Sequence, residues 1–200
     1  MSRLSPEDFP DPYHTFLVWL HEEVTSSSSK FPAAAVLSTQ GLDGFPNART
    51  ISLKELHHPH FIFTSSMSSL KSLEIEASPK VALTFWWERS LRQVRIQGIA
   101  SQISEEQADF YFSERSKSAQ VANVISETGA PLEDMGGLKQ AHAKMLIDFQ
   151  EKPLIRPANW KGFKVAPTRM EFMEFKESRL HHRVLYQLQE GRWEASQLQP

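Results

Sequence analysis

Arg169-Met170-Glu171-Phe172-Met173-Glu174-Phe175, then Ser178-Arg179-Leu180-His181-His182-Arg183, then Val184-Leu185-Tyr186-Gln187-Leu188: near the C-terminus these stretches read as strand, connection and strand. Two strands joined by so short a link form an antiparallel pair, so the sheet is expected to be antiparallel. The connection is unusual in holding two arginines and two histidines. In extended backbone Arg179, His181 and Arg183 share parity and would project from one face. Fixed cations beside a titratable imidazole suit an anionic ligand and a proton- or hydride-transfer step. A solvated hairpin corner with scattered charge accounts for the same residues.

Upstream, short strands recur. Ala33 to Thr39 is apolar, Gln40-Gly41-Leu42-Asp43-Gly44 is a turn, and Ala48 to Lys54 is the next strand. Its alternation sends Arg49, Ile51 and Leu53 one way and Thr50, Ser52 and Lys54 the other. Phe61 to Thr64, Lys80 to Trp87 and Leu91 to Ile103 follow, the last two joined by Glu88-Arg89-Ser90. Gln93, Arg95 and Gln97 alternate with Val94, Ile96 and Gly98. Strands this closely spaced predict a small barrel or sandwich.

Helical spacing appears around this meander. Asp11 is placed to cap a helix with Pro12 at its first position, and Tyr13, Phe16, Leu17, Leu20 and Val24 would form its apolar face. Residues 1–10 read as a flexible arm, and Ser26 to Ser29 as a connector. Leu70 to Ala77 is a short helix stopped by Pro79. Ser104 and Gln107 make a capping box for a helix through Tyr111 and Phe112. Further helices are expected over Ser118–Ser126 and Leu138–Lys152, before a strand at Phe163-Lys164-Val165 and final strands ending at Trp193. The fold class is α+β, built on a β-barrel.

Composition narrows the function. The chain has 200 residues, ample for a buried core, and its formal net charge of -2 gives no nucleic-acid footprint. The absence of cysteine excludes disulfides and thiolate chemistry. No apolar run approaches a membrane span, so a soluble cytoplasmic protein is expected. His57-His58-Pro59-His60 lacks a carboxylate at matching spacing and suits a bend, so no metal is expected there.

Two stretches suit phosphate. Thr64 to Lys71 ends a strand in serines that open a helix carrying Lys71; free helix N–H groups, hydroxyls and an ammonium together make an anion cradle. Tyr111 and Arg115 lie four apart on a helix, followed by Ser116-Lys117-Ser118, a combination that also fits a phosphorylated small molecule. Each is equally well read as ordinary polar surface. Together, with no Walker or dinucleotide glycine pattern, they point to two phosphorylated ligands.

The combination resembles the pyridoxine/pyridoxamine 5'-phosphate oxidase family, whose fold is an FMN-binding split barrel with surrounding helices. The matching stretches are Ala48 to Lys54, Arg92 to Gly98, Tyr111-Phe112 with Arg115, Trp160-Lys161-Gly162-Phe163 and Arg179 to Tyr186. The last is close to the family's Arg-Leu-His-Asp-Arg signature. The resemblance runs from Asp11-Pro12 to Pro200 and implies one split-barrel domain over residues 11–200. It implies that Arg49, Thr50, Ile51, Ser52, Leu53, Lys54, Thr64, Ser65, Lys71, Gln93 and Arg183 hold FMN. Lys54, Tyr111 and Arg115 would hold the substrate phosphate, while Arg179 and His181 would flank the substrate ring as the catalytic pair. It further implies a homodimer sharing each site, pyridoxine or pyridoxamine 5'-phosphate as substrate, O2 as acceptor and H2O2 as product.

The chain departs from the family pattern at Leu70 (usually Arg), Ala119 (usually Ser), Thr128-Gly129 (usually Gln-Ser) and Met173 (usually Trp). A charge-assisted hydrogen bond contributes ~1.5–3 kcal/mol, so the change at Leu70 is expected to weaken FMN binding roughly 10- to 150-fold.

Overall fold

A computed structural model describes residues 11–26, 30–150 and 152–200. The expected arm at 1–10 and most of the serine connector, 27–29, lie outside the described residues. Among the described residues are strands β1 (Ala34–Gln40), β2 (Pro46–Ser52), β3 (Glu55–His57), β4 (His60–Ser66), β5 (Lys80–Trp87), β6 (Arg92–Gln102), β7 (Trp160–Glu174), β8 (His182–Gln189) and β9 (Arg192–Leu198). The helices are α1 (Pro12–Ser26), α2 (Leu70–Ala77), α3 (Glu105–Ser113), α4 (Lys117–Ile125) and α5 (Met135–Asp148).

All strand pairs are antiparallel, in the order β2-β1-β5-β6-β7-β4-β3, with β8 on β7 and β9 on β8. The curled sheet is the barrel expected from the strand spacing, and β7 splits it. Along one edge its first half pairs with β4, Trp160 facing Ser66 and Val165 facing Phe61. Its second half pairs with β8, from Arg169 facing Gln187 to Glu174 facing His182.

The sequence reads as two strands where the structure has one, and a bulge is the reason. Opposite β6, Gln97 faces Arg169 but Gly98 faces Pro167, so Thr168 is an extra residue. An extra residue reverses side-chain parity. Phe163 and Val165 enter the core before it, Met170 and Phe172 after it. Pro167, with no N–H to donate, sits where the edge passes from β4 to β8.

The main core fills the barrel interior, with α1 across it. Phe16 is fully buried, with ring centroids 4.9 Å from Phe61 and 5.0 Å from Phe85, and Trp19 lies 5.3 Å from Phe172. Asp11 caps α1 as expected, its Oδ1 accepting the Tyr13 N–H at 3.0 Å. The buried face differs from the expected one. Leu17 and Val24 are exposed, while Trp19 and Glu23 are buried. A second core packs α3 on the outer face of the sheet through Ile62, Ile103, Ala108, Tyr111, Phe112 and Trp160. The Ser104–Gln107 capping box is present. Strand β3 was not legible in sequence, nor was the continuation of β9 to Leu198. Helix α5 starts at Met135 and ends at Asp148, a shift of one turn from the expected span.

Candidate functional site

The alternation read in the second strand holds. Ile51 and Leu53 point inward, whereas Thr50, Ser52 and Lys54 are exposed. Lys54 lies just beyond β2, its N–H bonded to Ile62 O at 2.7 Å. Arg49 is on the inward face at the barrel end, where α2 meets it. Its Nη2 donates to Glu74 Oε2 at 2.7 Å, and Thr39 and Asn47 donate to the same carboxylate at 2.6 and 2.8 Å. Glu74 is 1% exposed. Burial would raise its carboxyl pKa, but the hydrogen bonds from Thr39, Asn47 and Arg49 and the Arg49 charge outweigh that and hold it below the usual carboxylate value.

Lys71 stands one turn before Glu74 on α2. Burial first, and the Arg49 charge second, lower its ammonium pKa from the ordinary lysine value. Two cations held this close favour an anion between them. The serine run is less open than its composition implied. Ser65 is buried, and its hydroxyl meets those of Ser69 and Ser72 at 3.1 and 2.9 Å. Lys71 Nζ donates to Ser69 Oγ at 3.1 Å. Thr64, on the opposite parity, stays half-buried opposite Gly162. Leu70 points its apolar side chain to solvent, 54% exposed, where the family pattern has a cation.

A second corner joins Lys54, Tyr111 and Arg115. Helix α3 ends at Ser113, yet the turn continues far enough for the Arg115 N–H to reach Phe112 O at 3.2 Å. Arg115 lies over the Trp160 ring, 5.4 Å from its centroid. Its Nε is buried and is the one such side-chain atom among the described residues with no hydrogen-bond partner. Burial, then the Arg115 charge, lower the Lys54 pKa. An unpaired guanidinium N–H beside a partly desolvated ammonium is a donor set suited to phosphate or carboxylate. Sequence reasoning missed Glu55, which accepts the Tyr111 hydroxyl at 2.6 Å. Ser118, adjacent to the departure at Ala119, turns away toward His142 Nε2 at 3.3 Å.

A third group lies elsewhere. Gln93 faces Met173 across β6–β7, and Met173 faces Arg183 across β7–β8, so these three form a row. Arg183 donates to Glu171 Oε1 from Nε at 3.0 Å and Nη2 at 2.8 Å. Arg95 meets the other oxygen of this carboxylate, itself 2% exposed, at 2.5 Å. The connection 175–181 is a turn, so the shared parity of Arg179, His181 and Arg183 does not hold. Arg179 adopts φ +65°, a left-handed conformation that breaks any extended run. His181 is instead fixed by its Nδ1, which accepts the Lys176 N–H at 3.1 Å. An acceptor at Nδ1 places the neutral ring's proton on Nε2.

Thus Arg49 to Lys54, Thr64, Ser65, Lys71, Tyr111 and Arg115 gather around the β2, β4 and α3 end of the molecule. Gln93, Arg179, His181 and Arg183 gather at the far end of β7. The candidate residues thus form two groups, the second at the C-terminal end of β7.

Comparison with known proteins identifies the family. Residues 24–146 match the family model described as pyridoxamine 5'-phosphate oxidase, and residues 160–200 match the pyridoxine 5'-phosphate oxidase C-terminal dimerisation region. A pyridoxine/pyridoxamine 5'-phosphate oxidase of Rubrobacter xylanophilus is 39% identical over 96% of this chain and 88% of its own. One from Bacteroides thetaiotaomicron is 36% identical, over 100% of this chain and 94% of its own. Among solved structures, PhzG from Burkholderia lata, in complex with tetrahydrophenazine-1-carboxylic acid, superposes with a TM-score of 0.91 at 25% identity, covering 100% of this chain and 98% of that one. An FMN-binding protein of Nostoc punctiforme shares the fold, with a TM-score of 0.78 at 16% identity over 95% and 98% of the two chains. By its sequence over nearly its whole length and by its split-barrel fold, the chain belongs to the pyridoxamine 5'-phosphate oxidase family.

Proposed function

We propose that the protein is an FMN-dependent oxidase that converts pyridoxine 5'-phosphate or pyridoxamine 5'-phosphate to pyridoxal 5'-phosphate, with O2 as acceptor and H2O2 as product. The observation that carries this reading is the pair of cationic corners, Arg49 with Lys71 and Lys54 with Arg115. Arg49 and Lys54 are five residues apart, about 16 Å along a strand, which gives two phosphorylated ligands separate anchors.

The residues fit FMN: Arg49 and Lys71 would neutralise its phosphate, with Thr64, Ser65 and the residues from Thr50 to Lys54 beside it. Gln93 and Arg183 would meet it from the second group. When bound, FMN supplies the hydride acceptor. The protein's part is to bind, charge and orient. Lys54, Tyr111 and Arg115 would hold the substrate phosphate. Arg179 would set a fixed positive charge beside the substrate ring, and His181, with its proton on Nε2, would donate a hydrogen bond to it. The match of residues 160–200 to a dimerisation region supports a homodimer, and in this reading each site takes Arg179 and His181 from the other copy. A cytoplasmic setting belongs to the same reading.

The likeness to PhzG supports a second reading, a split-barrel flavin oxidase acting on a phenazine precursor. Aerobic incubation of the FMN-loaded protein with each B6 phosphate separates the two. Formation of pyridoxal 5'-phosphate with matching H2O2 supports the first. Turnover only of a reduced phenazine carboxylic acid supports the second. Bound flavin that neither compound reduces would make the chain a binding protein without turnover.

A further inference from the structure

Glu55 plays no part in the oxidase reading, yet it stands in the corner assigned to the substrate's charged tail. It directly follows Lys54, and its Oε1 accepts the Tyr111 hydroxyl at 2.6 Å. His57 Nδ1 lies 3.6 Å from the same oxygen. The Glu55 side chain is 41% exposed, so no packing need holds a carboxylate there. Its effect on an incoming anion is twofold. It accepts the Tyr111 hydroxyl hydrogen bond that an anion would otherwise receive, and it sets a negative charge beside Tyr111, where that anion would sit. Repulsion grows with the charge of the tail.

We propose that Glu55 is a specificity-determining residue that weakens binding of a doubly charged phosphate tail relative to a singly charged carboxylate tail. The proposal rests on the assignment of Lys54, Tyr111 and Arg115 to that tail. Two variants separate charge from hydrogen bonding. Glu55→Gln keeps an oxygen for Tyr111 and removes the charge; Glu55→Ala removes both.

The probes are pyridoxine 5'-phosphate and an analogue carrying a carboxylate in place of the phosphate. Dissociation constants come from calorimetry on the FMN-loaded protein, and KM and kcat from turnover. Glu55→Gln should tighten the phosphate ligand about 3- to 30-fold and the carboxylate analogue by a smaller factor. The gain should appear in KM, with kcat within about twofold, because the tail is remote from the reacting atoms. Glu55→Ala should move the ratio in the same direction, and unchanged thermal melts would show both variants folded. An unchanged phosphate-to-carboxylate ratio in both variants overturns the role of Glu55. If Lys54→Ala and Arg115→Ala also bind both probes as the wild type does, the tail assignment itself has failed. If those two lose the phosphate ligand, only the Glu55 proposal has.

Discussion

At the scale of the residue, the cations were legible and the carboxylates that hold them were not. Arg49, Lys54, Lys71 and Arg115 stand out because charge on a strand or at a helix end needs a reason. Glu74 and Glu171 look like ordinary surface acids. Their partners are distant in sequence, 25 residues for Arg49 and Glu74 and 76 for Arg95 and Glu171, and only folding brings them together. Glu74 has a measurable consequence. Its pKa is depressed in the folded chain, so its stabilisation is complete above the ordinary value of 4.5 and is lost as pH falls through the lower folded value. Removing one partner of a buried pair costs about 3–5 kcal/mol. Urea denaturation should therefore find Glu74→Ala destabilised by that amount at pH 7, with the difference from wild type shrinking in acid. Equal midpoints at pH 7 would mean that Glu74 leaves the cradle unsupported.

At the scale of the element, β7 borders both groups of candidate residues, pairing with β4 along its first half and with β8 along its second. Its antiparallel pairing with β8 was legible from the short connection between them. Its continuity was not, because the bulge at Thr168 puts its two halves out of phase. Helix α3 was legible because its cap is written in sequence; the buried face of α1 was not, since Trp19 packs on Trp87 and Phe172 and Glu23 meets Ser90, all far along the chain. Packing of β7 against β4 depends on Gly162. A Cβ there would lie 2.4 Å from Phe63 O and 2.9 Å from Thr64 Cα, backbone atoms that cannot swing aside. Overpacking of this kind costs about 1–3 kcal/mol. Gly162→Val should lower stability by at least that much in thermal or urea melts. It should also weaken FMN binding, since Thr64 and Ser65 are carried on the displaced strand. A variant as stable as wild type would show that β4 and β7 can part without cost.

At the scale of the whole molecule, the proposed shared site makes assembly part of the chemistry. Each group was legible as a local pattern, but their sharing of one site was not, because the turn at 175–181 and the corner at Arg115 lie far apart in sequence. The chain should sediment as a homodimer of twice 22.9 kDa. Arg115→Ala and Arg179→Ala should each be nearly inactive alone. Mixed and allowed to exchange subunits, they should recover roughly a quarter of wild-type activity, since half the dimers then contain one intact site. No recovery from an exchanged mixture would refute the shared site. The proposed oxidation of a B6 phosphate at this site is read out by anaerobic stopped-flow mixing of the FMN-loaded protein with pyridoxine 5'-phosphate. Wild type should lose its oxidised-flavin absorbance. In Arg179→Ala and His181→Ala the loss should slow roughly 30- to 1000-fold in apparent second-order rate, equivalent to ~2–4 kcal/mol, with flavin still bound. Arg183→Ala should instead lose flavin. Reduction of the Arg179→Ala flavin at the wild-type rate and substrate affinity, or no reduction in wild type at all, would contradict it.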